Sequence, residues 1–345
     1  MPTASIVIPT YNRAHLLGEA LASLLAQTYG DWEALIVDDG STDHTAEVVA
    51  SLADARIRYL YQNHGERSAA RNRGLTEALG DYIAFLDDDD LYEAHALESE
   101  ICFLDDHAEI DVICGGTRVV DAEGRKELVV RPWETRPPPT ILNIALGLVQ
   151  FPMCSVMFRR TALSRLDHWF DPALNLAEDA DFFARLAIGG CRFAWLPRVV
   201  STYRIIHTDR SLHVLLDFGR GYRAMLDKLF ARPDLPAEVR ARRKEAYIRL
   251  RLSCACTAYA YGAVNLAQRE LLQAVILEPD LQSPLLLDIF RASVLRTARH
   301  HWAVEDAHEY VEYVLAHLPG ALKPWQYLGQ ELLAEMRVTA TAPEP

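Results

Sequence analysis

Through its first two hundred residues the chain alternates short apolar runs with longer amphipathic ones. Apolar segments at Ser5–Pro9, Trp32–Asp38, Ile57–Tyr61 and Tyr82–Asp87 predict strands. Between them, Ala14–Gln27, Asp43–Leu52 and Ser68–Leu79 repeat apolar residues at helical spacing. Asn12 and Asp43 are the expected N-caps of the first two helices, and Gly80 the expected stop of the third. Strands alternating with helices of this length predict an α/β fold, a Rossmann-like and mainly parallel sheet flanked by helices. From Ile110 to about Thr208 the runs shorten around a Pro-rich stretch, Arg136–Pro139, which predicts the mixed edge of the same sheet with its loops. Beyond His207 the pattern turns helical, at Leu215–Leu229, Ala237–Tyr261, Leu266–Leu277, Pro284–Thr297 and Glu305–His317. The expected organisation is an α/β domain over 1–208, an all-helical C-terminal region over 209–335 and a disordered tail over 336–345. The C-terminal helices carry enough Leu, Ala, Val and Tyr to need burial, against the first domain or a second subunit.

Composition narrows the function classes. The 345 residues carry a formal net charge of −13, which excludes a phosphate-backbone binder, since nucleic-acid proteins need a basic surface. A small phosphorylated ligand stays open, because a few placed cations can hold one in an acidic protein. The six cysteines show no ligand spacing and are expected as buried, reduced thiols. The N-terminus runs straight into a strand with no signal-peptide pattern, and no segment reaches the ~20 apolar residues of a membrane span. The expected compartment is the cytoplasm.

Candidate chemistry gathers where the strands end. In open α/β sheets ligands bind at the carboxyl ends. There the chain places Pro9-Thr-Tyr-Asn-Arg13, Asp38-Asp-Gly-Ser-Thr-Asp43 and Asp87-Asp-Asp-Asp90. Four adjacent carboxylates repel one another, so a cation is expected among them; the alternative is a capping turn without metal. In extended chain Asp87 and Asp89 would share one face, roughly 7 Å apart, before a helix beginning near Leu91. Oxygen ligands suit Mn²⁺ or Mg²⁺, which leave positions open for substrate phosphates. Such an ion, bridging the two phosphates of a nucleotide sugar, would neutralise a leaving diphosphate. Asp39 is placed to accept from a nucleoside, whereas Asp38 and Asp43 suit a structural turn. Arg71 is the candidate phosphate contact, with Arg73 on a solvated helix face. In Ala177-Glu-Asp-Ala-Asp181, Glu178 and Asp181 suit helix-dipole stabilisation, and Asp179 is the candidate general base for an acceptor hydroxyl. His207 follows a strand-like run and is open to three readings: structural, a phosphate contact or a third metal contact.

Together these residues resemble the family 2 glycosyltransferases, which have the nucleotide-diphospho-sugar transferase (GT-A) fold. The resemblance rests on Val7-Ile-Pro-Thr-Tyr-Asn-Arg13, Ile36-Val-Asp-Asp-Gly-Ser-Thr-Asp43, Gly65 with Ala70-Arg-Asn-Arg-Gly74, Phe85-Leu-Asp-Asp-Asp-Asp90 and Glu178-Asp179, in family order over residues 1 to about 208. It implies that Thr10, Asp39 and Arg71 contact the nucleoside or phosphates, and it places the metal motif on Asp87 to Asp89, with Asp89 the direct ligand. Pro9, Tyr11, Arg13, Asp87 and Asp88 complete the expected nucleotide lining, and His207 is the further candidate metal contact. It implies Asp179 as catalytic base, inversion by direct displacement, and a UDP-sugar as the default donor. The chain has neither a QxxRW motif nor membrane spans, so single-sugar transfer is expected, to a glycan, lipid-linked or protein acceptor. Peripheral membrane contact and oligomerisation through the helical tail stay open. Two rivals are a sugar-1-phosphate nucleotidyltransferase and a catalytically silent sugar-nucleotide scaffold. The first needs a Gly-rich loop after the first strand, and Pro9–Arg13 has no glycine; against the second stand Asp87, Asp89 and Asp179 together. A Rossmann dehydrogenase would need a G-x-G-x-x-G there.

Overall fold

The structure is a computed structural model that describes residues 1–121, 127–174, 176–206, 212–300, 304, 306–328 and 331–334. It divides into two compact units, Met1–Thr208 with Ala231–Pro236, and Asp209–Phe230 with Ala237–Pro345. The first unit opens with β1 (Ala4–Thr10), α1 (Ala14–Leu25), β2 (Trp32–Asp38), α2 (Thr45–Leu52), β3 (Ile57–Tyr61), α3 (Glu66–Glu77) and β4 (Tyr82–Phe85). It continues with β5 (Leu91–Tyr92), α4 (Ala96–Asp106), β6 (Val112–Asp121), β7 (Glu127–Val130) and the short helices α5 (Pro132–Thr135) and α6 (Ile141–Ala145). It closes with β8 (Val156–Arg159), α7 (Glu178–Ile188) and β9 (Phe193–Ile205).

The strands form one sheet in the order β3-β2-β1-β4-β8-β6-β9-β5, with β7 beside β6. The first four strands are parallel, as the strand-helix alternation requires. From β8 onward the sheet is mixed: β8 runs antiparallel to both β4 and β6, while β6 and β9 are parallel. Every residue of β1 and β2 is buried, because both faces of the parallel half are covered. Ile6, Ile8, Ala34 and Ile36 face a core shared with Leu17 and Leu21 of α1 and Leu97 and Ile101 of α4. On the other face Val7 meets α3 at Gly74, where an added Cβ would stand 2.3 Å from Val7 Cγ1. That contact lets α3 lie directly on the strand that carries the first polar cluster.

Several local expectations are corrected. Asn12 does not cap α1: its backbone is left-handed, at φ 53°, and its Oδ1 accepts from Thr42 N at 2.8 Å. The Asp43 carboxylate serves both helix starts instead, accepting from Ala14 N at 3.0 Å and Thr45 N at 3.1 Å. Gly80 does not stop α3, which ends at Glu77 with Ala78 as cap. It permits close approach to β1, since a Cβ there would lie 2.6 Å from the Ala4 carbonyl carbon. β4 ends at Phe85, and Asp87–Asp90 form a turn closed by Asp90 N donating to Asp87 O at 3.0 Å. The extended geometry that put Asp87 and Asp89 on one face is therefore replaced. No helix begins at Leu91: Leu91 and Tyr92 pair with Thr202 and Ser201 of β9, and α4 starts at Ala96.

The second unit is helical, with α8 (Leu212–Ala231), α9 (Ala237–Ala241), α10 (Arg243–Ala260), α11 (Val264–Leu277), α12 (Pro284–His300) and α13 (Ala307–Ala316). The single run expected at Ala237–Tyr261 is two helices, α9 and α10. Leu252, Ala255, Leu271, Phe290, Val311 and Trp325 share a core within this unit, so much of the apolar surface expected to need a partner is covered by its own helices. All six cysteines are free; five are buried as expected, but Cys102 on α4 is exposed. Among the described residues no helix is long and apolar enough to cross a membrane.

Candidate active site

The carboxyl ends of β1, β2 and β4 meet, with Asp39 N donating to Thr10 O at 2.9 Å and Leu86 N to Val7 O at 3.1 Å. The turn after β4 is gripped by three arginines. Arg71 Nη2 reaches Asp87 Oδ1 at 2.9 Å, and Arg13 Nη1 bridges Asp88 Oδ1 at 2.9 Å and Asp89 Oδ2 at 2.7 Å. Arg204 donates through its backbone N to Asp90 Oδ1 at 3.0 Å and through Nε to the Asp89 carbonyl. Burial raises Asp88 to about 6 against the pull of Arg13, and burial with the charges of Asp87 and Asp89 raises Asp90 well above the usual range. Partial desolvation works against the charge of Asp87, yet Arg71 holds it below its ordinary value.

These residues fit a divalent cation. The donors are all carboxylate oxygens, the Asp87 and Asp89 side chains keep 30% and 20% of their surface exposed, and burial together with neighbouring carboxylates disfavours ionisation of Asp88 and Asp90. Among the described residues no group of three or more His, Cys, Asp or Glu is arranged to hold an ion by itself. One or two carboxylates would therefore hold it, with the remaining positions left to phosphate oxygens. His207 lies outside the described residues.

Beside this turn, Tyr11 is 44% exposed and stacks on His64, with ring centroids 4.3 Å apart. Pro9 and Thr10 are buried in β1. Asp39 is only 4% exposed: Oδ1 accepts from Gln62 Nε2 at 2.6 Å and Gly65 N at 3.0 Å, and Oδ2 lies 2.8 Å from His64 Nδ1. A carboxylate has about four acceptor positions, so these three donors leave room for one more. Asp38 behaves as a turn residue, accepting from Ser41 N at 2.7 Å.

The second acidic segment arrives on α7. Ala177, with a left-handed backbone at φ 74°, turns the chain into the helix. Phe182 anchors the helix by stacking on Phe170 at 4.4 Å and packing against Phe158 at 5.7 Å. Ser68, Arg71 and Asn72 occupy one face of α3, at i, i+3 and i+4. Asn72 exchanges two hydrogen bonds with the Phe170 backbone, at 2.8 and 2.9 Å, and Ser68 Oγ donates to Asp171 O at 3.3 Å. Arg71 Nη1 reaches Glu178 at 2.7 Å while Nη2 holds Asp87. The side chain of Arg71 is 2% exposed over the Phe170 ring and ties the two acidic segments together. Asp179 is raised to about 6 by burial and the Glu178 charge, and its Oδ1 accepts from Ala180 N at 2.7 Å.

Sequence reasoning missed several of these roles. Glu178 had been assigned to the helix dipole, and its partner Arg71 lies 107 residues away. Gln62, His64 and Arg204 carried no motif signal. Arg73, expected on a solvated face, is half exposed and pairs with Glu77 at 3.0 Å.

Comparison with known proteins bears on the family and the fold. Residues 5–166 match the family described as Glycosyl transferase family 2. The putative glycosyltransferase EpsE of Bacillus subtilis is 34% identical over 198 residues, covering 55% of this chain and 69% of EpsE. The chain spans between 17% and 58% of the length of the uncharacterized Rickettsia glycosyltransferases it matches. Among solved structures, S. aureus TarS 1–349 in complex with UDP-GlcNAc superposes with a TM-score of 0.58 at 20% identity, covering 96% of this chain and 88% of that one. The mannosyltransferase PcManGT from Pyrobaculum calidifontis, in complex with GDP-Man and Mn²⁺, gives 0.57 at 19% identity, covering 99% and 88%. The two superpositions establish the fold, and the sequence match carries the kinship: the chain belongs to glycosyltransferase family 2, with a GT-A fold.

Proposed function

We propose that the chain moves one sugar from a nucleotide-diphosphate donor, UDP-linked by default, to an acceptor hydroxyl with inversion at the anomeric carbon. The observation that carries this is the Asp87–Arg71–Glu178 link, which sets a proton-accepting segment beside an acidic turn at the carboxyl edge of the sheet. Asp89, with Asp87 beside it, would hold Mn²⁺ or Mg²⁺, which when bound supplies positive charge to the leaving diphosphate. Asp39 offers its remaining acceptor position to a nucleobase imide N–H, and Tyr11 presents a ring face next to it. Asp179 takes the proton of the acceptor hydroxyl as that oxygen bonds to the anomeric carbon and the bond to the diphosphate breaks. A carboxyl raised to about 6 is still ionised at neutral pH and is a stronger base than an ordinary aspartate. Arg71 and Glu178 hold Asp179 at its distance from the turn without touching the substrate.

The relatives support the donor class. TarS is seen with UDP-GlcNAc and PcManGT with GDP-Man and Mn²⁺. The division into a catalytic domain up to about residue 208 and a helical region that shapes acceptor use or assembly is part of this reading. So are a glycan, lipid-linked or protein acceptor and a cytoplasmic location, the last supported by six free thiols. The test is a thermal-shift panel of UDP, GDP and their sugars, with and without Mn²⁺, since ligands of the native state raise its stability in proportion to affinity. Stabilisation by nucleoside diphosphates only with Mn²⁺ is expected; no response to any nucleotide would remove the reading.

A further inference from the structure

Several arginines of the helical unit meet carboxylates. Arg251 of α10 reaches Glu270 of α11, and Arg291 of α12 reaches Glu331 at 3.1 Å. Glu245 of α10 answers two guanidiniums, those of Arg242 and, at 2.8 Å, Arg249. Arg296 of α12 differs from these. It is half-buried and pairs with no carboxylate among the described residues; its Nη2 donates to the Ser253 hydroxyl of α10 at 2.8 Å. Arg249 stands one turn before Ser253 on the same face of α10, so a second guanidinium is directed to this place. Burial pushes Arg296 below its ordinary value and the charge of Arg249 adds to that, whereas Arg71, with burial also against it, is raised by Asp87 and Glu178. The Tyr222 phenol of α8 is also near enough to act on Arg296. Tyr222, Arg249, Ser253 and Arg296 all belong to one compact unit.

We propose that Arg296, Ser253 and Arg249 form a binding site for a phosphate-class oxyanion, either the free ion or the phosphate group of a larger molecule. The proposal does not depend on the reading of the acidic turn. A guanidinium drawn out of bulk water costs free energy unless an anion meets it, and here the chain offers one neutral hydroxyl. Half-burial keeps the group within reach of a ligand. A guanidinium has five N–H donors, so a single bond to Ser253 leaves most of the fork for an oxyanion. The Ser253 hydroxyl accepts from Arg296 and keeps its own proton to donate to the same ligand. Along this face of α10 three arginines (Arg242, Arg249 and Arg296) stand against one glutamate, Glu245, an excess of two positive charges. A phosphate group carries about −1.5 to −2 near pH 7, which matches that excess. A carboxylate brings one negative charge and would leave the other unmet. The whole chain has a net charge of −13, so a local excess of cations does not follow from its composition.

The test is calorimetric titration of the full chain, without divalent metal, with inorganic phosphate, methyl phosphate and acetate. Wild type is compared with Arg296→Met, Arg296→Lys and Ser253→Ala. Wild type is expected to bind phosphate, and Arg296→Met to bind it about tenfold more weakly or worse, the worth of a charge-assisted hydrogen bond. Arg296→Lys keeps the charge without the fork and should lose about threefold. Without ligand, Arg296→Met should melt at or above the wild-type temperature, because an uncompensated charge has been removed. Its Mn²⁺-dependent UDP affinity should equal that of wild type. Ser253→Ala should lose about threefold in phosphate affinity, and it keeps the test open should Arg296→Met fail to fold. Methyl phosphate binding as tightly as inorganic phosphate would point to a phosphorylated molecule as the ligand, and inorganic phosphate binding alone to the free ion; either result supports the site. Three results would overturn it: no phosphate binding by wild type, acetate binding as tightly as phosphate, or phosphate affinity unchanged in the Arg296 and Ser253 variants. A UDP affinity that fell together with phosphate affinity in Arg296→Met would place the phosphate at the donor edge instead, and would overturn it too.

Discussion

The two ends of the parallel strands solve the same electrostatic problem in opposite ways. At the amino ends, Glu33 of β2 is buried but accepts from Ser5 Oγ at 2.7 Å, Arg58 Nη1 at 2.8 Å and Leu79 N at 2.8 Å. Burial works against its charge, yet those donors hold it below its ordinary value. At the carboxyl ends four carboxylates crowd one turn, and Asp88 and Asp90 are raised because burial and like charge outweigh their donors. The first end is closed by groups of the chain itself. The second keeps more negative charge than Arg13 and Arg71 offset, and on the proposed reading a bound cation offsets the rest. On the proposed reading, folding and ligand binding fall to opposite ends of the same strands.

That division is broken or sharpened by substitutions at each end. The largest effect is expected for Asp89→Ala: Mn²⁺-dependent UDP binding should fall by ~10² or more while circular dichroism and melting temperature stay near wild type. Retained Mn²⁺-dependent affinity by calorimetry would mean that the carboxyl end is not the metal edge. Glu33→Gln is the mirror experiment. It should lower stability by roughly 2–3 kcal/mol in urea unfolding, the worth of hydrogen bonds to a charged group, and leave UDP affinity unchanged. A stable Glu33→Gln variant with impaired UDP binding would reverse the assignment of the two ends.

A pH-dependent effect concerns Glu100 of α4, which belongs to neither end. It is fully buried, both its oxygens lack a hydrogen-bond partner among the described residues, and burial raises it from 4.5 to about 8. A raised carboxyl binds its proton more tightly in the folded state, so its contribution is whole below pH 4.5 and is lost as pH rises toward about 8. Stability should decline across that window by about 1 kcal/mol per pH unit, and Glu100→Gln should flatten the decline. A variant with the wild-type slope in urea unfolding at pH 5 to 8 would place the titration elsewhere.

Legibility in the sequence followed how local each cause was. β2 and β3 run over the residues read from the apolar pattern, Trp32–Asp38 and Ile57–Tyr61, because aliphatic and aromatic residues of high strand preference dominate both runs. Leu91–Tyr92 was misread as a helix start because its strand character comes from Ser201 and Thr202, more than a hundred residues later. The same distance hid Glu178 from Arg71, although the small residues Ala69 and Ala70 before the arginine already hinted at burial. The acidic run was visible as a candidate metal site, but its turn geometry was not, since four aspartates do not specify extended or folded backbone by themselves. Arg13 was legible as a nucleotide-side residue; its hold on Asp88 and Asp89 needed the sheet order that sets β1 beside β4.

The central claim is that the segment bearing Asp179 performs the chemistry beside a separate donor-binding edge. It is tested most directly by measuring Asp179→Asn for donor affinity and for transfer in the same preparation, across pH 5 to 8. Wild-type kcat/KM should rise with pH through about 6, because a base raised to that value must lose its proton to act. The variant should bind UDP and Mn²⁺ within a few-fold of wild type, transfer ~10² or more slowly, and show no rise through that range. Equal losses of donor affinity and turnover, with the pH profile unchanged in shape, would contradict the account and make Asp179 a donor-binding or structural residue.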